Sequence, residues 1–259
     1  MKISFADAAK ADIVAFIIDE GEGLPTAAAA LDAASGGLLT EALSGARFDG
    51  KKDQQAVVVL PKGGEARRAV LIGGGKVKKR DARIWESIGA NLVKSHACGG
   101  FKSLAVHAGS AEDAARVALG AKLAAYRFDT YFTKLKADQK PSLTSVTLVV
   151  DDAKAAKAAF GPLDAAAEGT NMARDLVNLP PNDLYPESFA GRLKDLSEFG
   201  VEVEILGEKE MKKLGMNALL GVGQGSRRES QLGVMKWNGG KPGEDPVILV
   251  GKGVCFDTG

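Results

Sequence analysis

Short apolar runs separated by polar, glycine-rich breaks dominate the first 150 residues. The runs at 3–5, 13–18, 56–60, 69–72, 104–107 and 146–150 have the length and composition of strands. Residues 38–43, 83–94 and 111–126 read as helices, the last with apolar positions recurring at three- and four-residue steps. Strands alternating with helices predict a mostly parallel sheet covered by helices, so residues 1–150 are expected to form an N-terminal α/β domain.

The pattern then changes. Residues 151–177 are alanine-rich with helical spacing interrupted at Gly161-Pro162, and they read as a connector and the first helix of a second domain, 151–259. Pro180-Pro181 stops that helix, and Pro186 opens another running to about residue 199. A strand at 201–206, a short helix at 208–214, a loop allowed by Gly221, Gly223 and Gly225, and a further strand follow. The run Val-Ile-Leu-Val at 247–250 is expected to be a strand buried on both faces. It breaks at Gly251 and Gly253 and presents Lys252 and Asp257, at the kind of strand end where α/β enzymes gather their chemistry.

Composition narrows the classes. A net charge of +1, from 34 basic and 33 acidic residues, argues against a general nucleic-acid or membrane surface. No apolar run approaches the roughly 20 residues that span a bilayer. The opening residues are too acidic and interrupted for a signal peptide, and two distant cysteines, Cys98 and Cys255, suit a reducing cytoplasm.

Several local signals compete for function. Gly73-Gly74-Gly75-Lys76 after an apolar strand has the look of a phosphate cradle, but it lacks the full P-loop pattern and reads better as a tight turn toward a helix starting near Asp81. Residues 76–83, KVKKRDAR, read as a solvated basic face. His96 and His107 are too far apart for the His-Glu-x-x-His zinc pattern; His107 reads as a strand residue, and His96 as a helix-terminal residue where positive charge is favourable. No serine elbow or histidine-supported triad is present. A hydrolase built on this chain would use metals without histidine. Lys252 and Asp257 suit that role: a carboxylate is a hard oxygen ligand, and a lysine amine binds a metal once it has lost its proton. An ordinary surface ion pair is the competing reading.

The string GKGVCFDTG resembles the signature of the leucyl (cytosol) aminopeptidase family, usually VGKG-x-x-FD-[ST]-GG. The segments AEGTNMARDLVNLPPNDLYPESFA and GMNALLGVGQGSRRESQLGVMKW also resemble family patterns, and YRFDTYFTKLK (126–136) resembles a further one whose aromatics are expected to be packing anchors. Arg227-Arg228-Glu229-Ser230 stands where the family often has a proline-containing run. The resemblance implies that Lys252 and Asp257 are metal ligands for two divalent ions, Mn²⁺ or Zn²⁺, with Cys255 as a packing residue. It implies a cytoplasmic, homohexameric exopeptidase that releases N-terminal residues, often leucine, from peptide substrates. The family's other ligands and its catalytic arginine lie downstream of this motif. The chain is thus expected to hold the N-terminal domain and only the beginning of an α/β metallopeptidase domain, and to be inactive by itself. The competing function is a nucleotide- or DNA-binding module based on the first domain.

Overall fold

The computed structural model describes residues 1–64 and 66–255. The alternating runs near the start become a six-stranded sheet: β1 (Lys2–Ala6), β2 (Ile13–Asp19), β3 (Gln55–Val59), β4 (Arg68–Gly75), β5 (Ser103–His107) and β6 (Ser145–Val149). Its order is β1-β6-β5-β2-β4-β3, parallel throughout except for β3, which pairs antiparallel with β4 at one edge. Leu60 N–H donates to Arg67 O, so Ala56 and Val58 bond to β4 while Gln55, Val57 and Val59 direct their backbone groups away from the sheet.

Both faces of the sheet are apolar, because alternate side chains along each strand leave on opposite sides. Ile13, Ala15, Val70, Ile72, Leu104, Val106, Val146 and Leu148 face α3 (Ala82–His96), α4 (Ala111–Ala124) and the start of α5 (Ala153–Asn178). Phe16, Ile18, Ala69 and Leu71 face α1 (Thr26–Ala34) and α2 (Leu38–Gly45). The sequence pattern predicted the second of these two helices and not the first. Asp32 on α1 stands in for the missing cap of α2: its carboxylate accepts from Leu39 N (2.8 Å), Thr40 N (3.1 Å) and Thr40 Oγ1 (2.6 Å). The Thr40 hydroxyl and these amides hold its carboxyl below the usual range.

The α3–α4 contact is made backbone to backbone. A Cβ on Gly89 would collide with the Val117 carbonyl, and one on Gly120 with the Glu86 carbonyl. Salt bridges then tie the layer together: Arg116 to Glu86 (3.0 Å), and the nearly buried Lys122 of α4 to Asp164 and Glu168 of α5. Burial would lower the Lys122 pKa, but the two carboxylates outweigh it and raise it.

Two local expectations change. The helix at 153–178 passes through Gly161-Pro162 without interruption. A residue before proline normally avoids helical geometry because its Cβ meets the proline ring, and Gly161 has no Cβ; both residues are also exposed, so the Ala158 carbonyl that Pro162 cannot serve stays near water. His96 closes α3 but is only 4% exposed, and the Gln55 side-chain amide donates to its Nε2 (3.2 Å). Burial, together with Arg68 nearby, pushes its pKa down, so it is held neutral and is not a cation serving the helix end. Burial lowers His107, stacked on Phe16 with centroids 4.7 Å apart, in the same direction.

By its contacts the chain divides into units 1–173 and 174–259. The second unit contains α6 (Pro186–Lys194), a 3₁₀ turn over Asp195–Phe199, β7 (Glu202–Leu206), α7 (Glu208–Lys213), α8 (Asn217–Gly223) and β8 (Leu232–Lys236), with β7 and β8 paired antiparallel. Gly221 and Gly223 therefore sit in a helix and not in the expected loop, with the Ser230 hydroxyl packed against Gly223.

Two measurements test these assignments. Gly120→Ala drives a methyl into the Glu86 backbone and should cost about 3 kcal/mol, the upper end for overpacking where backbone cannot give way. Gly169→Ala, in open space on α5, should instead stabilise by about 0.5–1 kcal/mol; urea unfolding of both variants reads the contrast. The neutral histidines set a pH dependence. The unfolded chain takes up protons near the ordinary value of 6.5 and the folded chain only at lower pH. Stability is full above that value and falls as the pH drops through it toward the lower folded values. The thermal midpoint should be lower at about pH 5.5 than at about pH 7.5, and a flat profile across that window would contradict the neutral assignment.

Candidate functional site

The terminal segment carries the strongest chemical signal, and its surroundings begin with α6. Pro186 occupies the first turn of that helix, and Tyr185 precedes it in extended geometry. Ser188 Oγ accepts from Tyr185 N (2.9 Å) and closes the turn. Arg228, from the run where the family often has proline, lies over the Tyr185 ring (3.7 Å to the centroid) and pairs with Glu187 (3.8 Å). Ser226 and Glu208 fix the rest of that loop by accepting from Arg228 N (3.0 Å) and Ser230 N (2.8 Å). A cation–π contact and side-chain acceptors thus constrain a loop that a proline would have constrained through its ring.

Gly253 rests on the same helix. A Cβ there would lie 2.7 Å from the Phe189 ring, so only glycine lets the backbone approach this closely. Lys252 beside it is exposed, and its carbonyl accepts from Val254 N (3.1 Å). Cys255 is half-buried, and burial pushes its thiol up, away from the thiolate that binds metals; this accords with a packing role. Asp257 lies outside the described residues.

The strand expected at 247–250 is absent. These four residues are irregular and between 77% and 95% exposed. An apolar run becomes a buried strand only with neighbouring strands on both sides, and among the described residues β7 and β8 pair only with each other. Among the described residues there is also no group of three or more His, Cys, Asp or Glu side chains able to hold a metal ion. The described part of the chain offers Lys252 alone from the expected ligand pair, so it does not constitute a metal site.

The other candidate region, the glycine run at 73–75, is not a phosphate cradle. The three residues extend β4 and do not turn, Gly73 N donates to Gln54 O (2.8 Å), and Gly75 N donates to Gly50 O (2.9 Å). The Lys51 carbonyl fills the space a Cβ on Gly73 would need. The glycines serve close packing of the 50–53 loop. Of the basic run that follows, Lys78 and Lys79 are exposed as expected, whereas Arg80 turns inward. Nothing local in the sequence distinguishes it from its neighbours. The aromatic segment after α4 also differs: α4 ends at Ala124, and Tyr131 and Phe132 are 49% and 65% exposed, although Phe128 and Tyr131 meet edge to face.

The chain's similarity to known proteins follows this division. The sequence model "Cytosol aminopeptidase family, N-terminal domain" matches residues 13–135, and "Cytosol aminopeptidase family, catalytic domain" matches 171–259. A probable cytosol aminopeptidase of Caulobacter vibrioides is 47% identical over 248 residues, covering 95% of this chain and 50% of the relative. One of Agrobacterium fabrum is 44% identical over 264 residues, covering 99% and 53%. The chain thus spans about half the length of the curated relatives it matches. A mutant of tomato leucine aminopeptidase shares the fold with a TM-score of 0.75 at 21% identity, over 88% of this chain and 49% of that one. The bottromycin maturation enzyme BotP in complex with Mn gives a TM-score of 0.65 at 25% identity, over 85% and 44%. With two successive domain models of one family accounting for most of its length, the chain belongs to the cytosol aminopeptidase family.

Proposed function

We propose that this chain contributes the N-terminal domain, residues 1–150, and the opening part of the catalytic domain, residues 151–259, of a metal-dependent aminopeptidase. The observation that carries the reading is the segment VGKGVCFDTG, which falls inside the stretch matched by the family's catalytic-domain model. In this reading Lys252, as a neutral amine, and Asp257, as a carboxylate, are ligands of two divalent ions, Mn²⁺ or Zn²⁺. Once bound, such ions act as Lewis acids and lower the pKa of coordinated water. The enzyme releases N-terminal residues, leucine among the preferred ones, from peptides, and works in the cytoplasm as a homohexamer.

What the chain's own residues contribute is positioning. Gly253 on Phe189 holds the backbone beside Lys252 close to α6, and Arg228 fixes the neighbouring loop on Tyr185 and Glu187. In this reading the remaining donors come from beyond the motif, as the resemblance implies, and the 259-residue chain alone is expected to be inactive. Support comes from the lack, among the described residues, of any group of three or more His, Cys, Asp or Glu that could hold a metal ion. The glycine run lends no support to a nucleotide-binding alternative, since the Gly73 and Gly75 amides are already engaged.

The test is a fusion of this chain to the remaining half of the Caulobacter vibrioides relative. With Mn²⁺ it should release leucine from leucyl p-nitroanilide, while the 259-residue chain should not. Lys252→Ala and Asp257→Ala in the fusion should each lower turnover on the order of 100-fold or more without loss of folding. A folded, manganese-loaded fusion without activity, or variants as active as the parent, would sink the assignment.

A further inference from the structure

Arg80 is treated by the fold as a ligand. Its side chain is 8% exposed; Nη2 pairs with the Asp19 carboxylate and donates to Gly75 O (3.1 Å), and Nε donates to Gly74 O (2.9 Å). Its Cζ lies 4.6 Å from the centroid of the Trp85 ring. These partners come from three places: the end of β2, the end of β4 and the first turn of α3. Gly74 is part of the fit, since a Cβ there would stand 2.6 Å from Arg80 Nη2. A carboxylate, two carbonyl acceptors and an aromatic face match a planar guanidinium in charge, donor geometry and stacking.

The location matters. The chain goes from β2 to the edge strand β3, returns through β4 beside β2 and then crosses β2 to β5, so the connections from β2 and from β4 leave in opposite directions. In open α/β sheets the crevice at the carboxyl ends of such strands is where ligands bind. Here the acceptors facing it are electronegative, and a side chain of the same molecule already occupies it. We propose that this crevice is a guanidinium-binding site filled in cis, and that Arg80 is a latch holding the segment 76–81 across the carboxyl ends of β2 and β4. The latch works because one group bonds both strand ends and the helix that follows. Releasing it removes the partner of Asp19, of the Gly74 carbonyl and of the Trp85 face at once, while Gly75 O keeps its bond from Glu20 N (3.1 Å).

The test uses the full 259-residue chain with Trp237→Phe, which leaves Trp85 as the remaining tryptophan of the two. In that background Arg80→Ala should shift Trp85 emission and speed amide exchange over residues 74–81 about tenfold or more, as expected for loss of charge-assisted hydrogen bonds. Millimolar methylguanidinium should reverse both changes saturably, and sodium chloride at matched ionic strength should not. Emission and exchange like the parent's, or equal reversal by sodium chloride, overturns the proposal. Should Arg80→Ala not fold, Arg80→Lys decides: it keeps the charge but loses the fork and the stacking. Exchange over 74–81 must then be faster than in the parent, and equal exchange overturns the latch.

Discussion

The close approach of α3 and α4 at Gly89 and Gly120 is the constraint on which the first unit rests. With no Cβ on either glycine, each helix backbone packs against the other's carbonyl, at Val117 and Glu86. The two helices then act as one slab over β5, β2, β4 and β6, burying Ile88, Leu92, Val93, Val117 and Ala118 against the strands. Dense packing of this kind has few alternative arrangements, so volume added at the crossing is felt throughout the layer. Lys122, paired with Asp164 and Glu168, extends the slab to α5 by charge where the glycines extend it by shape.

Much of this was readable in advance, for a physical reason. A strand buried on both faces shows as an unbroken apolar run, and a mostly parallel sheet follows from such runs alternating with helices; the antiparallel edge β3 arises where no helix separates it from β4. The helix Thr26–Ala34 escaped because its run of alanines, TAAAALDAA, has weak contrast between faces, and its key polar residue, Asp32, serves the next helix. His96 was placed correctly at the helix end, but its charge preference was not legible. The desolvation and the nearby Arg68 that oppose a cation there come from the fold, and its pairing with Gln55 joins residues 41 positions apart. Arg80 shows the same limit: its partners Asp19 and Trp85 lie on either side of it, and only the folded sheet brings them together.

The candidate site divides differently. Lys252 and Asp257 were identified by the literal spelling of a short string, a signal that belongs to chemistry shared across a family and owes nothing to periodicity. The fold then adds what the string does not contain: Gly253 lies against the Phe189 ring, where a Cβ would stand 2.7 Å from it, and Arg228 braces its loop on Tyr185 and Glu187. Conversely, the apolar run at 247–250 was a correct sign of high β-propensity and a wrong sign of burial. Burial is a property of the neighbours, and none of the described residues supplies a strand beside it.

That exposed run carries a consequence for how the polypeptide associates. Val247 to Val250 are four consecutive β-branched or leucine side chains without a charge among them, 77–95% open to solvent, a composition that favours strand pairing wherever it is left uncovered. They are equally a seed for concentration-dependent self-association through intermolecular strand pairing. Whatever strand comes to lie beside Val247, Ile248, Leu249 and Val250 therefore does two things with one contact: it completes their backbone pairing and removes a seed for association from water.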